Sequence, residues 1–165
     1  MPCPCGYYTH PTRACTCSPG AVAKYKNRIS GPLLDRIDIQ CEIQPVPFDQ
    51  LSQGQPGESS AAIRERVVAA RAIQADRFRD NPGIYCNAQM TSKMLRQYCR
   101  LDDASMRLLR TAMDRYDMSA RAYDRILRVA RTIADLHSAA DILPGHIREA
   151  ISYRALDRST WGTTF

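Results

Sequence analysis

Apolar residues recur every three or four positions from residue 58 onward, which is the spacing of amphipathic helices. Ile63, Val67 and Ala70 begin the first stripe, which ends near Phe78, ahead of the helix-breaking Asn-Pro-Gly at 81–83. Residues typical of helix starts precede the later stripes: Thr91, Asp102, Ser119 and Pro144. The pattern predicts a bundle of about five helices.

The first 50 residues show a different pattern. Ser18-Pro19 is typical of a helix N-cap followed by its first residue, and Gly31-Pro32 predicts where that helix ends. Leu33–Arg36 predicts a turn or a single helical turn. Ile37–Ile43 alternates apolar and polar residues, which predicts a β-strand. Because one strand cannot form a sheet alone, we expect it to pair with sequence outside this chain or with another partner.

The composition of residues 44–57 separates these two parts. This segment holds three prolines and two glycines, as is typical of a linker. The predicted fold class is mainly α, with one or two strands in a short α/β part ahead of the helical bundle. The expected divisions are an N-terminal part, a linker, a helical part and a tail: 1–50, 51–57, 58–158 and 159–165.

Charge and hydropathy narrow the class of protein. The net charge of +6 permits a nucleic-acid partner without requiring one. No apolar run in the sequence reaches the roughly 18–20 residues that a transmembrane helix needs, and the N-terminus lacks the features of a signal peptide. We therefore expect a cytoplasmic protein with no membrane partner.

The seven cysteines are unevenly placed, and four of them crowd the first 17 residues as two Cys-x-Cys pairs. An odd count without an export signal argues against a disulfide framework. The two pairs can converge on zinc, which prefers tetrahedral sulfur ligands, although Cys-x-Cys is a weaker indication than Cys-x-x-Cys. The alternative is four free thiols. The candidate ligands are Cys3, Cys5, Cys15 and Cys17, with His10 as a substitute. The three remaining cysteines are interpreted as small buried hydrophobic residues: Cys41, Cys86 and Cys99.

A family resemblance enters at residues 30–39, which read Ser-Gly-Pro-Leu-Leu-Asp-Arg-Ile-Asp-Ile. This segment resembles the arginine-finger segment of magnesium chelatase ATPase subunits and of MCM helicases. Further motifs resemble the magnesium-chelatase-like ComM/YifB branch of AAA+ ATPases. They occur in the expected order at 2–8, 57–60, 119–123, 128–136 and 153–158.

The resemblance implies the C-terminal remnant of an AAA+ core followed by an α-helical lid. In the family the Walker A and Walker B motifs precede the part of the chain represented here, and this sequence contains no Gly-x-x-x-x-Gly-Lys-Ser/Thr. Met1 stands where the family has its sensor-1 asparagine, so we expect a truncation near the end of a core strand. The fragment alone is expected to lack ATPase activity.

Arg36 is the candidate catalytic residue that the resemblance identifies as an arginine finger. An arginine offered to the γ-phosphate by a neighbouring subunit stabilises the developing charge and accelerates hydrolysis by about 10³–10⁵. The alternative role is a surface ion pair with Asp35 or Asp38, worth no more than about 1 kcal/mol.

Arg121 is the candidate nucleotide-binding residue, matching the family's sensor-2 arginine. It begins a stripe of arginines along the helix that Ser119 caps, on the face opposite the apolar residues. The other members are interpreted as a solvated helix face: Arg125, Arg128 and Arg131. If that is wrong, they contact nucleotide or a neighbouring subunit.

The resemblance implies an ATPase with ATP and Mg²⁺ as cofactors in the intact protein, assembled with itself as a hexameric ring. In the ComM branch such rings act as DNA helicases that promote branch migration during natural transformation. The alternative function is a non-enzymatic DNA- or protein-binding helical module with a small zinc hairpin. Metal insertion into tetrapyrroles ranks last, because nothing in the sequence indicates a porphyrin pocket.

Overall fold

The computed structural model describes residues 3–41, 43, 46, 48–53 and 57–154. The chain divides into two compact units. Unit 1 combines the N-terminal residues through Pro45 with the chain from Tyr153 onward, and unit 2 is Val46–Ser152. The expected tail, 159–165, and part of the expected linker, 54–56, lie outside the described residues.

The described part of the chain is mainly helical, which confirms the predicted fold class. Its β-structure is an isolated parallel bridge between Leu101 and Ile142. No helix among the described residues is long and apolar enough to cross a membrane.

Unit 1 contains two short helices, α1 (Pro19–Lys26) and α2 (Gly31–Leu34). Ser18 caps α1 as predicted, because its side-chain oxygen accepts a hydrogen bond from the Ala21 N–H at 3.3 Å. Val22 and Leu34 are buried apolar residues of this unit. The turn that contains Arg36 directly follows α2.

The predicted strand over Ile37–Ile43 is wrong for the residues described there. They form no ladder, and Ile39 and Ile43 are 52% and 89% exposed. Gln40 instead donates its backbone N–H to the carbonyl oxygen of Tyr153 at 2.8 Å. A strand needs a neighbour for its alternating N–H and C=O groups, and alternation of residue type does not provide one.

Two of the three remaining cysteines differ from their predicted burial. Cys41 is exposed and Cys86 is partly exposed, whereas Cys99 is buried as predicted. Cys41 lies in the unpaired segment after Gln40, so no neighbouring strand covers it among the described residues.

Unit 2 begins with a short helix that the sequence did not predict, α3 (Phe48–Gln53), within the proline- and glycine-rich segment. The predicted bundle of about five helices follows it and is confirmed. Its members are α4 (Ser60–Arg77), α5 (Ser92–Tyr98), α6 (Asp103–Arg115), α7 (Ala120–Leu136) and α8 (Pro144–Ser152).

Four bundle helices start at N-cap residues, and three of these positions were predicted from the sequence. Each cap side chain accepts a hydrogen bond from the backbone N–H three residues later, which satisfies a donor that the helix itself cannot. The distances are 3.2 Å for Ser59, 3.4 Å for Thr91, 2.7 Å for Asp102 and 3.2 Å for Ser119.

Helix α7 is the centre of unit 2. Its apolar face is fully buried at Ala122, Ile126 and Ala130, and it contacts α4, α5, α8 and a 3₁₀ turn at Asn87–Gln89. Leu109 on α6 is also buried, and α6 packs against α8. This packing holds α7 in place along its length, including the first turn that carries Arg121.

Candidate functional site

The four N-terminal cysteines converge, as the sequence predicts for a metal site. Their Sγ atoms all lie within 4.8 Å of one another. Cys3 and Cys5 are 3.3 Å apart, Cys5 and Cys15 are 3.5 Å apart, and Cys15 and Cys3 are 3.7 Å apart. Cys17 completes the group. All four are free thiols, so they are available as ligands.

Tight turns bring these cysteines together. The Gly6 N–H donates to the Cys3 carbonyl oxygen at 3.2 Å, and Gly6 has a φ of +83°, which a residue without a side chain adopts easily. The Tyr8 N–H then points back at the Cys3 sulfur at 3.3 Å. The backbone thus encloses Cys3, which is 1% exposed.

The electrostatics of the cluster favour ionisation of one thiol. Backbone N–H groups of Tyr7 and Thr16 lower the pKa of Cys5 to about 6. The N–H of Cys17 also lowers the pKa of Cys15, but burial and hydrogen bonds to the neighbouring sulfurs outweigh it and raise that pKa to about 12. A cation among the sulfurs would favour the thiolate form throughout.

His10 lies outside the sulfur cluster formed by the described residues. Its Nδ1 accepts hydrogen bonds from the backbone N–H groups of Thr12 at 3.2 Å and Arg13 at 3.1 Å. The ring thereby stabilises the turn between the two cysteine pairs, which is a structural role.

Arg36 is exposed on the turn that follows α2. Its Nη1 donates to the carbonyl oxygen of Pro32 at 3.2 Å, one helical turn earlier. Among the described residues, this hydrogen bond orients the guanidinium group, and Arg36 remains exposed. An exposed guanidinium group is accessible to an anionic ligand through the N–H donors that this bond does not use.

Arg121 is also exposed, in the first turn of α7. Ser119 caps that turn and Ala122 is completely buried beside it, so the backbone under Arg121 is fixed. Arg36 belongs to unit 1 and Arg121 to unit 2.

The prediction of a solvated arginine face on α7 is wrong at its C-terminal end. Arg131 is 3% exposed, and it donates to the carbonyl oxygens of Ala139 at 2.6 Å and Ala140 at 2.8 Å. Arg128 is partly buried and donates to the carbonyl oxygen of Met90 at 2.9 Å. Both arginines attach loops to α7, because backbone carbonyl groups outside helices need hydrogen-bond donors when they are buried.

Asp135 joins Arg131 to a second arginine in the interior of unit 2. Its carboxylate, 1% exposed, accepts from Arg77 at 2.7 Å, from Asn87 at 2.8 Å and from Arg131 at 3.1 Å. Burying a carboxylate is costly unless such partners surround it. The network ties α4, the 3₁₀ turn and α7 together.

Arg154 is a buried cation that the sequence did not single out. It is 0% exposed and donates from Nη1 to the carbonyl oxygen of Ile37 at 2.7 Å, within unit 1. The sequence feature that could have identified Arg154 is its place in the motif at 153–158, but a motif does not show whether a residue is buried. Residues 155–158 of that motif lie outside the described residues.

Comparison with known proteins identifies the family. Residues 57–154 match the family described as magnesium chelatase, subunit ChlI C-terminal, and residues 1–51 match magnesium chelatase, subunit ChlI. The chain belongs to the magnesium chelatase ChlI C-terminal family. This confirms the resemblance inferred from the separated motifs, and it places the helices α4 to α8 within the family's C-terminal domain.

Several curated proteins are similar to this chain in sequence. The chain is 41% identical over 158 residues to the competence protein ComM of Haemophilus influenzae and, over the same length, to the uncharacterized protein YifB of Escherichia coli. It is 37% identical over 155 residues to an uncharacterized protein of Mycobacterium tuberculosis. These alignments cover 93–95% of the chain, which spans about 30% of the length of each of these relatives.

Proposed function

We propose that this chain supplies the arginine finger and the helical lid of a ring-forming AAA+ ATPase. The observation that carries the proposal is the exposure of Arg36 on a short, hydrogen-bonded turn within a member of the magnesium chelatase family. A finger that acts on a neighbour's nucleotide must project from its own subunit, and it must be held so that little freedom is lost on binding.

The contact with Pro32 is compatible with this role because it uses one of the five N–H donors of Arg36. The remaining donors of a guanidinium form a planar fork that matches two phosphate oxygens. In the proposed ring, Arg36 stabilises the negative charge that develops on the γ-phosphate during hydrolysis.

Arg121 has the second role in the proposal, which is to connect nucleotide state with lid position. It lies at the N-terminus of α7, where the helix dipole and the arginine charge both favour an anion. Because α7 contacts most other helices of unit 2, a displacement of its first turn on nucleotide binding would move the lid as a whole.

The chain's residues fit a nucleotide phosphate but not a complete nucleotide site. They offer guanidinium groups, and the sequence has no phosphate-cradling loop. ATP and Mg²⁺ would therefore be held by the AAA+ core of the intact protein, and they would supply the phosphoryl group and its charge neutralisation. By itself the chain is proposed to have no ATPase activity.

A chimeric enzyme tests the finger. The matching C-terminal region of Haemophilus influenzae ComM is replaced by this chain, whose sequence is 41% identical to it. We expect Arg36→Ala to lower the ATPase rate by about 10³-fold or more, since a missing finger removes transition-state stabilisation. Arg28→Ala is the matched control, because Arg28 is an exposed arginine of the same unit that is not part of the proposed site.

Mixed rings then test whether Arg36 acts across subunits. Chimeras carrying Arg36→Ala are mixed with chimeras whose Walker A lysine is changed to alanine. If the finger acts in trans, some interfaces in the mixed ring combine an intact loop with an intact finger, and ATPase activity reappears. An unchanged rate in the Arg36→Ala chimera, or no recovery on mixing, contradicts the proposal.

DNA is the proposed substrate of the intact ring, and branch migration in natural transformation its proposed activity. The supporting facts are the similarity to a competence protein and the net charge of +6. The wild-type chimera should show DNA-stimulated ATPase activity and displace strands in an ATP-dependent manner. DNA binding by the 165-residue chain alone, falling steeply with salt, together with an inactive chimera would instead favour a non-enzymatic DNA-binding module.

A further inference from the structure

We propose that Cys3, Cys5, Cys15 and Cys17 bind one structural Zn²⁺ ion as a tetrathiolate centre. Zinc binds sulfur at about 2.3 Å with tetrahedral geometry, which places neighbouring sulfurs about 3.8 Å apart. The sulfur separations among Cys3, Cys5 and Cys15, which are 3.3, 3.5 and 3.7 Å, are close to that spacing. The Cys17 sulfur completes the cluster, because it lies within 4.8 Å of each of the other three.

Neutral thiols do not account for this arrangement. A thiol is a weak donor and a weak acceptor, so four of them gain little from one another. Disulfides do not account for it either, because all four cysteines are free and their sulfurs are much farther apart than the roughly 2.05 Å of a disulfide bond.

The loop around the cysteines has little apolar burial to stabilise it. Among residues 3–17, Cys3 is the one buried residue, and the segment consists of turns and bends without a helix or strand. A loop with so little apolar burial is marginal unless a disulfide or a metal holds it. Metal binding to such a segment provides its folding free energy directly.

The hydrogen bond from the Tyr8 N–H to the Cys3 sulfur is the outer-shell contact expected of a thiolate ligand. This hydrogen bond orients the Cys3 sulfur and stabilises part of the negative charge that four thiolates would place around one ion. The turn at Gly6 makes this contact possible by returning the chain toward Cys3.

The proposed centre has a structural role, since four thiolates leave no open position for water or substrate. It stabilises the start of α1, because Cys17 immediately precedes the capping Ser18. Tyr8 adds a second contact with that helix, through the Lys26 ammonium that lies 5.1 Å from the centre of its ring. This inference does not depend on the ATPase proposal, because its test measures metal binding alone.

Metal analysis of the 165-residue chain, purified under reducing conditions, is the first test. We expect about one zinc per chain after dialysis against a weak chelator. Replacing the metal with Co²⁺ should give the intense sulfur-to-cobalt absorption and the visible bands of a tetrahedral thiolate site. This measurement uses the wild-type chain, so it does not depend on whether variants fold.

Cysteine variants are the second test. Cys5→Ser and Cys15→Ser should each lower zinc retention more than about tenfold in competition with a chelator, because a hydroxyl is a poor zinc ligand. Cys41→Ser is the matched control, since Cys41 is an exposed cysteine of the same unit and should leave zinc content unchanged.

Three outcomes overturn the proposal. The first is a metal-free chain that remains folded with four reactive N-terminal thiols and takes up no Co²⁺. The second is bound iron in place of zinc in protein supplied with both metals. The third is equal loss of zinc in Cys41→Ser and Cys15→Ser, which would show adventitious binding to scattered thiols.

Discussion

Arg154 donates a hydrogen bond from Nη1 to the backbone carbonyl oxygen of Ile37 across 2.7 Å, although 117 positions separate them in the sequence. The guanidinium is completely buried. Ile37 directly follows Arg36, so the contact restrains the turn that carries the candidate finger. A residue near the end of the described chain thus acts on the geometry of a site near its beginning.

Replacing Arg154 with methionine should loosen that turn with little change in overall stability. The described residues provide no partner for the buried Nε and Nη2 atoms of Arg154. Removing an incompletely paired buried charge therefore offsets part of the lost hydrogen bond, and we expect a net change within about 1–2 kcal/mol. Hydrogen exchange of peptides covering residues 33–41 should accelerate.

Arg148→Met is the control for this experiment, because Arg148 is an exposed arginine on α8. Exchange in residues 33–41 that stays at the wild-type rate in Arg154→Met would show that the contact with Ile37 does not restrain the turn. Equal acceleration across α1 would indicate general unfolding of unit 1 instead.

Asp135→Asn should strongly destabilise unit 2. The substitution removes the negative charge that Arg77 and Arg131 share, so that buried Arg131 and partly exposed Arg77 both lose their counter-charge. Breaking a buried ion pair in this way typically costs about 3–5 kcal/mol. Urea denaturation followed by helical circular dichroism measures the free energy of unfolding.

Asp76→Asn provides the matched comparison for Asp135. Asp76 pairs with Arg79 at the surface, where both side chains are more than two-thirds exposed. Such a pair contributes no more than about 1 kcal/mol. Similar unfolding energies for the two variants would mean that the Asp135 network adds nothing beyond surface charge.

His146 should make stability depend on pH. Burial lowers the pKa of His146 below its ordinary value of 6.5, and the nearby His137 and Arg131 lower it further. The unfolded chain therefore binds more protons in the interval below 6.5, so the contribution of the neutral ring is present above pH 6.5 and is lost as pH falls toward the folded pKa.

His146→Asn isolates this effect. The Nδ1 atom of His146 accepts a hydrogen bond from the Leu143 N–H at 3.1 Å, and the asparagine carbonyl can accept the same bond without titrating. Unfolding free energies measured from pH 8 to pH 5.5 should decline more steeply for the wild-type chain than for the variant. Parallel curves would rule out His146 as the titrating group.

Ser119→Ala should fray the first turn of α7. The serine oxygen accepts from the Ala122 N–H at 3.2 Å, and loss of such a cap costs about 1 kcal/mol. Ser119→Asp keeps an acceptor and should retain nearly all of that stability. Thermal unfolding of the three proteins checks the order, and an alanine variant as stable as the wild type would contradict it.

The sequence predicts the bundle well because helix starts depend on local chemistry. Each predicted cap lies three residues before an N–H group that needs an acceptor, and Thr91, Asp102 and Ser119 make the expected bond. Ser59 makes the same bond at the start of α4. The convergence of the four cysteines is also local, because short turns bring them together.

Features that depend on distant segments were not predictable in the same way. The alternation over Ile37–Ile43 resembles a strand, but pairing requires a partner that the pattern cannot reveal. Arg131 lies on the polar side of α7 by helical periodicity, yet the loop at residues 139–140 covers it. Ile63 and Val67 show the reverse case, as apolar residues of α4 that remain 42% and 46% exposed.

The discontinuous make-up of unit 1 has a practical consequence for dissecting this protein. A helical domain excised at the family boundary, residues 57–154, would take Tyr153 and Arg154 away from the unit to which they belong. The remaining N-terminal piece would lose the acceptor for the Gln40 amide and the donor for the Ile37 carbonyl. A protein consisting of the bundle alone should therefore end at Ser152. In an N-terminal piece without Arg154, the turn at Arg36 would lack the hydrogen bond that restrains it.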